Sequence, residues 1–128
     1  MKLLLDTCAF LWFQSAAPEL PNSARAAIMD AENEVYLSAV SAWEIGRKYA
    51  SGSLFLDTAP EILIPRIRDE SGIASLPLTE ADALMAKKLP RFHKDPFDRM
   101  LIAQALTSGM TLVTSDKVFD PYPVRVLW

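Results

Sequence analysis

The sequence predicts an α/β fold, with a central, mainly parallel sheet flanked by helices on both faces. Two observations predict it. Short apolar segments of strand length alternate along the chain with longer segments of helical period, and parallel strands need crossovers that helices supply. The chain has 128 residues, 51% of them hydrophobic and 23% charged, which is enough for one domain with a true core and no disordered tract. No internal repeat, low-complexity stretch or linker divides it.

The elements follow in order. Residues 2–5 read as a short buried strand, closed by Asp6-Thr7 ahead of an apolar helix at 8–14. Pro18 and Pro21 break that helix, and Asn22 or Ser23 is placed to cap the next, over 24–31, with Ala27, Ile28 and Ala31 inward. A second strand at 35–37 leads through Ser38-Ala39-Val40-Ser41 into a helix at 42–49 that ends near Gly52 and carries Glu44 in its first turns. Residues 58–70 have helical period, with Pro65 expected to kink or restart the helix, and 73–76 can form a short strand. Thr79-Glu80-Ala81-Asp82 resembles a capping arrangement for a helix ending near Pro90. Asp95 can cap a helix with Pro96 at its first position, running to about Thr107 and closed by Gly109. Strands at 111–114 and 124–127 complete the chain, separated by a turn around Pro121 and Pro123.

The helix after Asp95 carries the main anomaly. At 100° per residue, Leu101, Ile102 and Ala105 share a line with Asp98, whereas Arg99, Gln104 and Thr107 fall on the other side. Asp98 therefore points inward. A carboxylate aimed at a packed interior must be protonated, paired or bound to a cation; equally, an acid in a first turn is favoured by the helix dipole whatever it faces. Three other acids occupy related places. Asp6 ends the first strand, Asp116 follows a later one, and Glu44 opens the helix after the second. Each has an ordinary explanation: Asp6 and Asp116 as turn or capping residues, Glu44 as a capping partner of Ser41 or an ion pair with Lys48. Taken together they point to one edge of the sheet, beyond the strands' carboxyl ends where ligands bind in such folds. A divalent cation would relieve their mutual repulsion. Carboxylate oxygens, with Thr7, Thr114 and Ser115 as hydroxyl helpers, suit Mg2+ or Mn2+ rather than zinc.

The remaining chemistry is sparse. One cysteine, Cys8, excludes an intrachain disulfide or a cysteine zinc site and reads as core. The single histidine, His93, reads as surface, with a phosphate contact as the lesser option. Thirteen basic against sixteen acidic residues, net −3, argue against broad adhesion to nucleic acid. A local basic rim of Arg47, Lys48, Arg91, Lys94, Arg99 and Lys117 can still hold the phosphates of a polyanion. Asp6 interrupts the first apolar run before it reaches signal-peptide length, and no later run is long enough to span a bilayer. A cytoplasmic protein without a membrane partner is expected. The run Phe10-Leu11-Trp12-Phe13 is too uniformly apolar for one helix face, so part of it is expected to meet another chain.

Leu3-Leu4-Leu5-Asp6-Thr7, Ser38-Ala39-Val40-Ser41-Ala42-Trp43-Glu44-Ile45, His93-Lys94-Asp95-Pro96-Phe97-Asp98-Arg99-Met100-Leu101-Ile102-Ala103-Gln104-Ala105 and Leu112-Val113-Thr114-Ser115-Asp116 together resemble the PIN-domain nucleases, closely the VapC-like toxins of bacterial toxin–antitoxin pairs. The likeness spans nearly the whole chain as one domain, 1–128, and the Asp98 segment is its most specific part. It implies that the acidic quartet falls on Asp6, Glu44, Asp98 and Asp116, with Asp6 and Asp98 as direct Mg2+ ligands, and that Asp95 is an extra acid. It further implies a Mg2+-dependent endoribonuclease that cleaves RNA, is dimeric and is inhibited by a cognate antitoxin. Lys48 and Arg99, with Thr7, Thr114 and Ser115, are the candidate substrate contacts. Two other classes compete: a catalytically inert nuclease-like binding module, and a Mg2+-binding phosphoacceptor domain. The latter is expected to carry adjacent acids after the first strand, where this chain has only Asp6-Thr7. A haloacid-dehalogenase-type phosphatase would need an acid where Cys8 stands.

Overall fold

Leu3, Leu4 and Leu5 are all fully buried, because the strand that carries them lies at the centre of the sheet with helices against both faces. The computed structural model describes residues 1–128. Its elements are β1 (Lys2–Leu5), α1 (Thr7–Gln14), α2 (Asn22–Met29), β2 (Glu34–Ser38), α3 (Ala39–Ala50), α4 (Pro60–Ser71), β3 (Ile73–Leu76), α5 (Glu80–Lys88), α6 (Pro96–Ser108), β4 (Thr111–Val113) and β5 (Val126–Leu127), with a 3-10 turn at Lys117–Phe119. The strands are ordered β3-β2-β1-β4-β5 and every neighbouring pair is parallel. Leu3 is in register with Val35 on one side and Thr111 on the other.

Alternation along β1 separates two cores. Leu3 and Leu5 pack with Phe10, Ile28, Ile45, Leu63 and Ile67 of α1 to α4. Leu4 faces the opposite side with Leu101, Ile102, Ala105 and Phe119. The chain winds outward from β1 to β2 and β3, then crosses back to β4 on the other flank of β1. The carboxyl ends of β1 and β4 therefore border the point where the winding reverses, the usual crevice for ligands in doubly wound sheets.

Local chemistry sets the helix ends. The Asp95 carboxylate accepts from the Phe97 and Asp98 N–H groups, and Gly109, at φ 64°, closes α6 in the left-handed region where other residues are strained. Thr79 and Asp82 form the expected capping box on α5. Other boundaries shift. Ser38 caps α3, so that helix begins at Ala39 rather than 42. Pro21, not Asn22 or Ser23, precedes α2, which ends at Met29 and leaves Ala31 exposed. Pro65 lies inside an unbroken α4. Its ring faces solvent while Leu63, Ile64 and Ile67 hold the buried side, so packing offsets the one hydrogen bond that proline removes. The last two strands are shorter than expected, Thr111–Val113 and Val126–Leu127. No helix is long and apolar enough to cross a membrane.

Candidate functional site

Asp6 is the most buried of the four acids, 8% exposed at the end of the central strand. As the N-cap of α1 it accepts from the Ala9 N–H through Oδ1 at 2.7 Å, and Thr114 Oγ1 donates to its Oδ2. Burial raises the Asp6 carboxyl above its ordinary value against those two hydrogen bonds, and the charges of Asp116 and Glu44 raise it further. The capping role is real. It does not account for the neighbouring negative charges.

The other acids arrive from separate elements. Glu44, on α3, receives the Thr7 hydroxyl on Oε1 at 2.6 Å and lies 3.5 Å from the Lys48 ammonium through Oε2. Asp116 follows β4, caps the 3-10 turn by accepting from the Val118 N–H at 3.0 Å, and is exposed. Asp98 stands in the first turn of α6 with its side chain 27% exposed. Its carboxyl is pushed up to about 7, first by burial and then by the charges of Asp95, Asp116, Glu44 and Asp6. The sheet thus brings the four acids close enough to feel one another's charge. No group of three or more His, Cys, Asp or Glu side chains is placed to hold a metal ion.

The candidate substrate contacts divide. Thr7 and Thr114 are buried and donate to Glu44 and Asp6, so they orient the acids. Lys48 is paired with Glu44 at the site's edge, and Ser115 lies exposed between Thr114 and Asp116. Arg99 is a correction. Its guanidinium donates to the Pro90, His93, Ala86 and Leu89 carbonyls and to the Tyr122 hydroxyl at 2.8–3.4 Å, so it clamps the loop before α6 to the end of α5 instead of facing a substrate phosphate. Gln104, placed outward by periodicity, is fully buried; it accepts from Ser38 Oγ at 2.6 Å and donates to the Pro77 carbonyl at 3.2 Å.

His93 also departs from the sequence reading, being partly buried rather than a surface residue. Its Nδ1 lies 2.7 Å from the Tyr122 hydroxyl and its Nε2 lies 3.4 Å from Asp98 Oδ2. Neither contact carries a signal in sequence spacing. Cys8 is exposed rather than core. Partial desolvation of the thiol and the charge of Asp6 push its pKa up, which keeps it a thiol at neutral pH. Beside Glu44 and Asp98, Trp43 and Phe97 stack with centroids 5.2 Å apart, and the Arg47 guanidinium lies 5.6 Å over the Phe97 ring.

A family model described as PIN domain matches residues 3–124. No curated protein sequence matches the chain. Among solved structures, the chain is similar to VapBC2 from Rickettsia felis, crystallised with a promoter DNA fragment, at 14% identity and TM-score 0.73 over 99% of this chain and 98% of that one. It is similar to VapBC-1 from nontypeable Haemophilus influenzae at 19% identity and TM-score 0.68, over 99% and 97% of the two chains. A toxin–antitoxin complex from Klebsiella pneumoniae matches at 16% identity and TM-score 0.61, over 98% and 96%. At these identities the likeness speaks for the fold.

Proposed function

The chain belongs to the PIN domain family, and from that premise we propose that it is a divalent-metal-dependent endoribonuclease acting as the toxin of a toxin–antitoxin pair. The observation that carries the activity is the crowding of Asp6, Glu44, Asp98 and Asp116 from four separate elements at the winding-reversal crevice, with Asp6 and Asp98 both pushed up. Such crowding opposes folding unless a cation balances it. The donor set fits Mg2+, or Mn2+ in its place: all oxygen, and open. Mg2+ keeps several waters and takes one or two carboxylates, so it needs no three-residue cage. Asp6 and Asp98 would hold it, with Glu44 and Asp116 beside them. A cation bound there would supply a water of lowered pKa and charge neutralisation for the oxygens of a phosphodiester.

The chain's own groups prepare that site. Thr114 and the Ala9 N–H fix the Asp6 carboxylate, and Thr7 and Lys48 fix Glu44 from two sides. Fixed donors keep the acids in one geometry and reduce reorganisation when charge develops. Glu44 or Asp116 accepts the proton of the attacking water. No side-chain nucleophile is required, and Cys8 does not serve as one. Lys48 and Ser115 border the acids and can contact flanking phosphates.

The toxin role rests on similarity to the VapBC proteins and to the Klebsiella toxin–antitoxin complex. A cognate antitoxin and a homodimer are the partners it implies. A catalytically inert binding module is the second reading, favoured by the lack of a preformed three-ligand group. Labelled RNA incubated with the pure protein decides between them. Cleavage with Mg2+, lost in EDTA and lost in Asp98→Asn, is expected; equal products from the folded variant would refute the assignment.

A further inference from the structure

Three of the four acids receive hydrogen bonds from neighbours: Asp6 from Thr114 and the Ala9 N–H, Glu44 from Thr7, Asp116 from the Val118 N–H. Asp98 receives none. The one polar contact of its carboxylate is His93 Nε2, 3.4 Å from Oδ2. That nitrogen is sealed from solvent and has no hydrogen-bond partner of its own. A buried ring nitrogen without a partner and a partly exposed carboxylate that receives no hydrogen bond thus face each other at slightly more than hydrogen-bond length.

Which nitrogen carries the proton follows from the other side of the ring. Arg99 Nη1 donates to the Tyr122 oxygen at 3.3 Å, and a guanidinium can only donate. Tyr122 is buried, and His93 Nδ1, 2.7 Å away, is the acceptor within reach of its O–H. Were Nδ1 protonated instead, the Tyr122 O–H would have no acceptor, and a bare Nε2 lone pair would face a carboxylate. Both costs vanish when Tyr122 donates to Nδ1 and the proton sits on Nε2. Arg99 also holds the ring's backbone, donating to the His93 carbonyl at 3.4 Å and to three more carbonyls around it.

We propose that His93 is a positioning residue for Asp98: Tyr122 and Arg99 hold it as the Nε2–H tautomer, and its donor on Oδ2 fixes the carboxylate that would hold the cation. This rests on the metal-dependent reading above and adds to it the support that Asp98 otherwise lacks. Hydrogen-bonded partners behind ligating carboxylates hold their orientation, and losing one costs about ten- to a hundredfold in metal affinity.

His93 is the only histidine in the chain, so its ring nitrogens give one unambiguous pair of resonances in the 15N-labelled protein. At about pH 8, where an ordinary imidazole is neutral, Nε2 should be protonated and Nδ1 bare in the wild type, and Tyr122→Phe, which removes only the hydroxyl, should shift the ring toward a mixture. A wild-type Nδ1–H ring overturns the proposal. Mn2+ titration then reads the consequence. His93→Phe should weaken binding about tenfold or more, while His93→Gln, whose side-chain amide can donate from the place of Nε2, should restore most of it; circular dichroism checks that both fold. Equal loss in the two variants, or no loss in either, overturns the proposal with the cation site intact. Wild-type protein that binds no Mn2+ overturns the cation reading and the role of His93 with it, while the resonances separately report whether the ring is oriented as described.

Discussion

Replacing Asp98 with Asn should make the metal-free protein more stable, and by an amount that grows with pH. Burial and four neighbouring acids push the Asp98 carboxyl up to about 7 from an ordinary 3.8. The gap between those values corresponds to about 4 kcal/mol, which solvent screening of this partly exposed group reduces to about 2 kcal/mol. Below about pH 4 both folded and unfolded chains hold the proton and no penalty exists; as pH rises toward about 7 the unfolded chain releases it first, and above that the penalty is complete. In a domain of this size about 2 kcal/mol moves the melting temperature by about 8 °C, and at pH 5 the effect is only partly developed. The assay is thermal unfolding in EDTA at pH 5 and pH 8, with and without Asp98→Asn, in a His93→Gln background so that the imidazole facing Asp98 contributes nothing to the comparison. Any pH-independent effect of the amide cancels in the comparison. A variant whose advantage is the same at both pH values would show that Asp98 ionises freely and that the crowding argument is wrong.

Added Mg2+ should raise the melting temperature of wild type more than that of Asp98→Asn at equal concentration, because the variant has lost a ligand and gains less by mass action; parallel shifts would remove Asp98 from the site. Asp6→Asn should abolish RNA cleavage with unchanged far-UV circular dichroism, and retained cleavage would move the metal elsewhere. Arg99→Ala should cost about 3 kcal/mol in urea denaturation by leaving the carbonyls of buried Ala86 and Leu89 without a donor, and a stable variant that merely binds RNA less tightly would return Arg99 to the substrate rim. Trp12→Ala should weaken self-association or antitoxin capture, read by light scattering and pull-down; wild type that is already monomeric, with antitoxin binding unchanged in the variant, would show that contact with Trp128, 5.8 Å between ring centroids, is all that Trp12 provides.

Strand and helix order was legible because it follows from local signals. Asp95, Pro96 and Gly109 mark α6, and Thr79 with Asp82 marks α5, through hydrogen bonds within a few residues of themselves. The parallel sheet followed from the alternation, and with it the edge where the acids gather. Boundaries shifted where capping was ambiguous: Ser38 and Ser41 are both chemically able to begin α3, and only Ser38, at the end of β2, has its side chain on the Val40 N–H. Cys8 looked like core because its neighbours are apolar, yet α1 turns that one position outward.

The residues misplaced by periodicity share one physical cause. A hydrophobic period separates an inward side from an outward one only when a helix has solvent on its far side. α6 does not, since α5 packs along it opposite the sheet. Arg99, Gln104 and Thr107 were assigned outward on that assumption, and each instead meets a partner supplied by distant chain: the α5 carbonyls and Tyr122 for Arg99, Ser38 and Pro77 for Gln104, the Asp82 carboxylate at 2.7 Å for Thr107. Polar groups survive in such a sandwich because each is hydrogen-bonded, so their spacing mimics a solvated face. Asp98 sits where this polar side meets the acidic crevice. The period directed it toward the crevice, where it is partly exposed, but could not show what lay opposite, because His93 and Tyr122 approach from a loop and a turn that have no period. The same covering that hid Arg99 from sequence reading gives it its effect: half-buried between α5 and α6, it fixes the loop, the tyrosine and the imidazole in sequence, and only the last of these touches the acid.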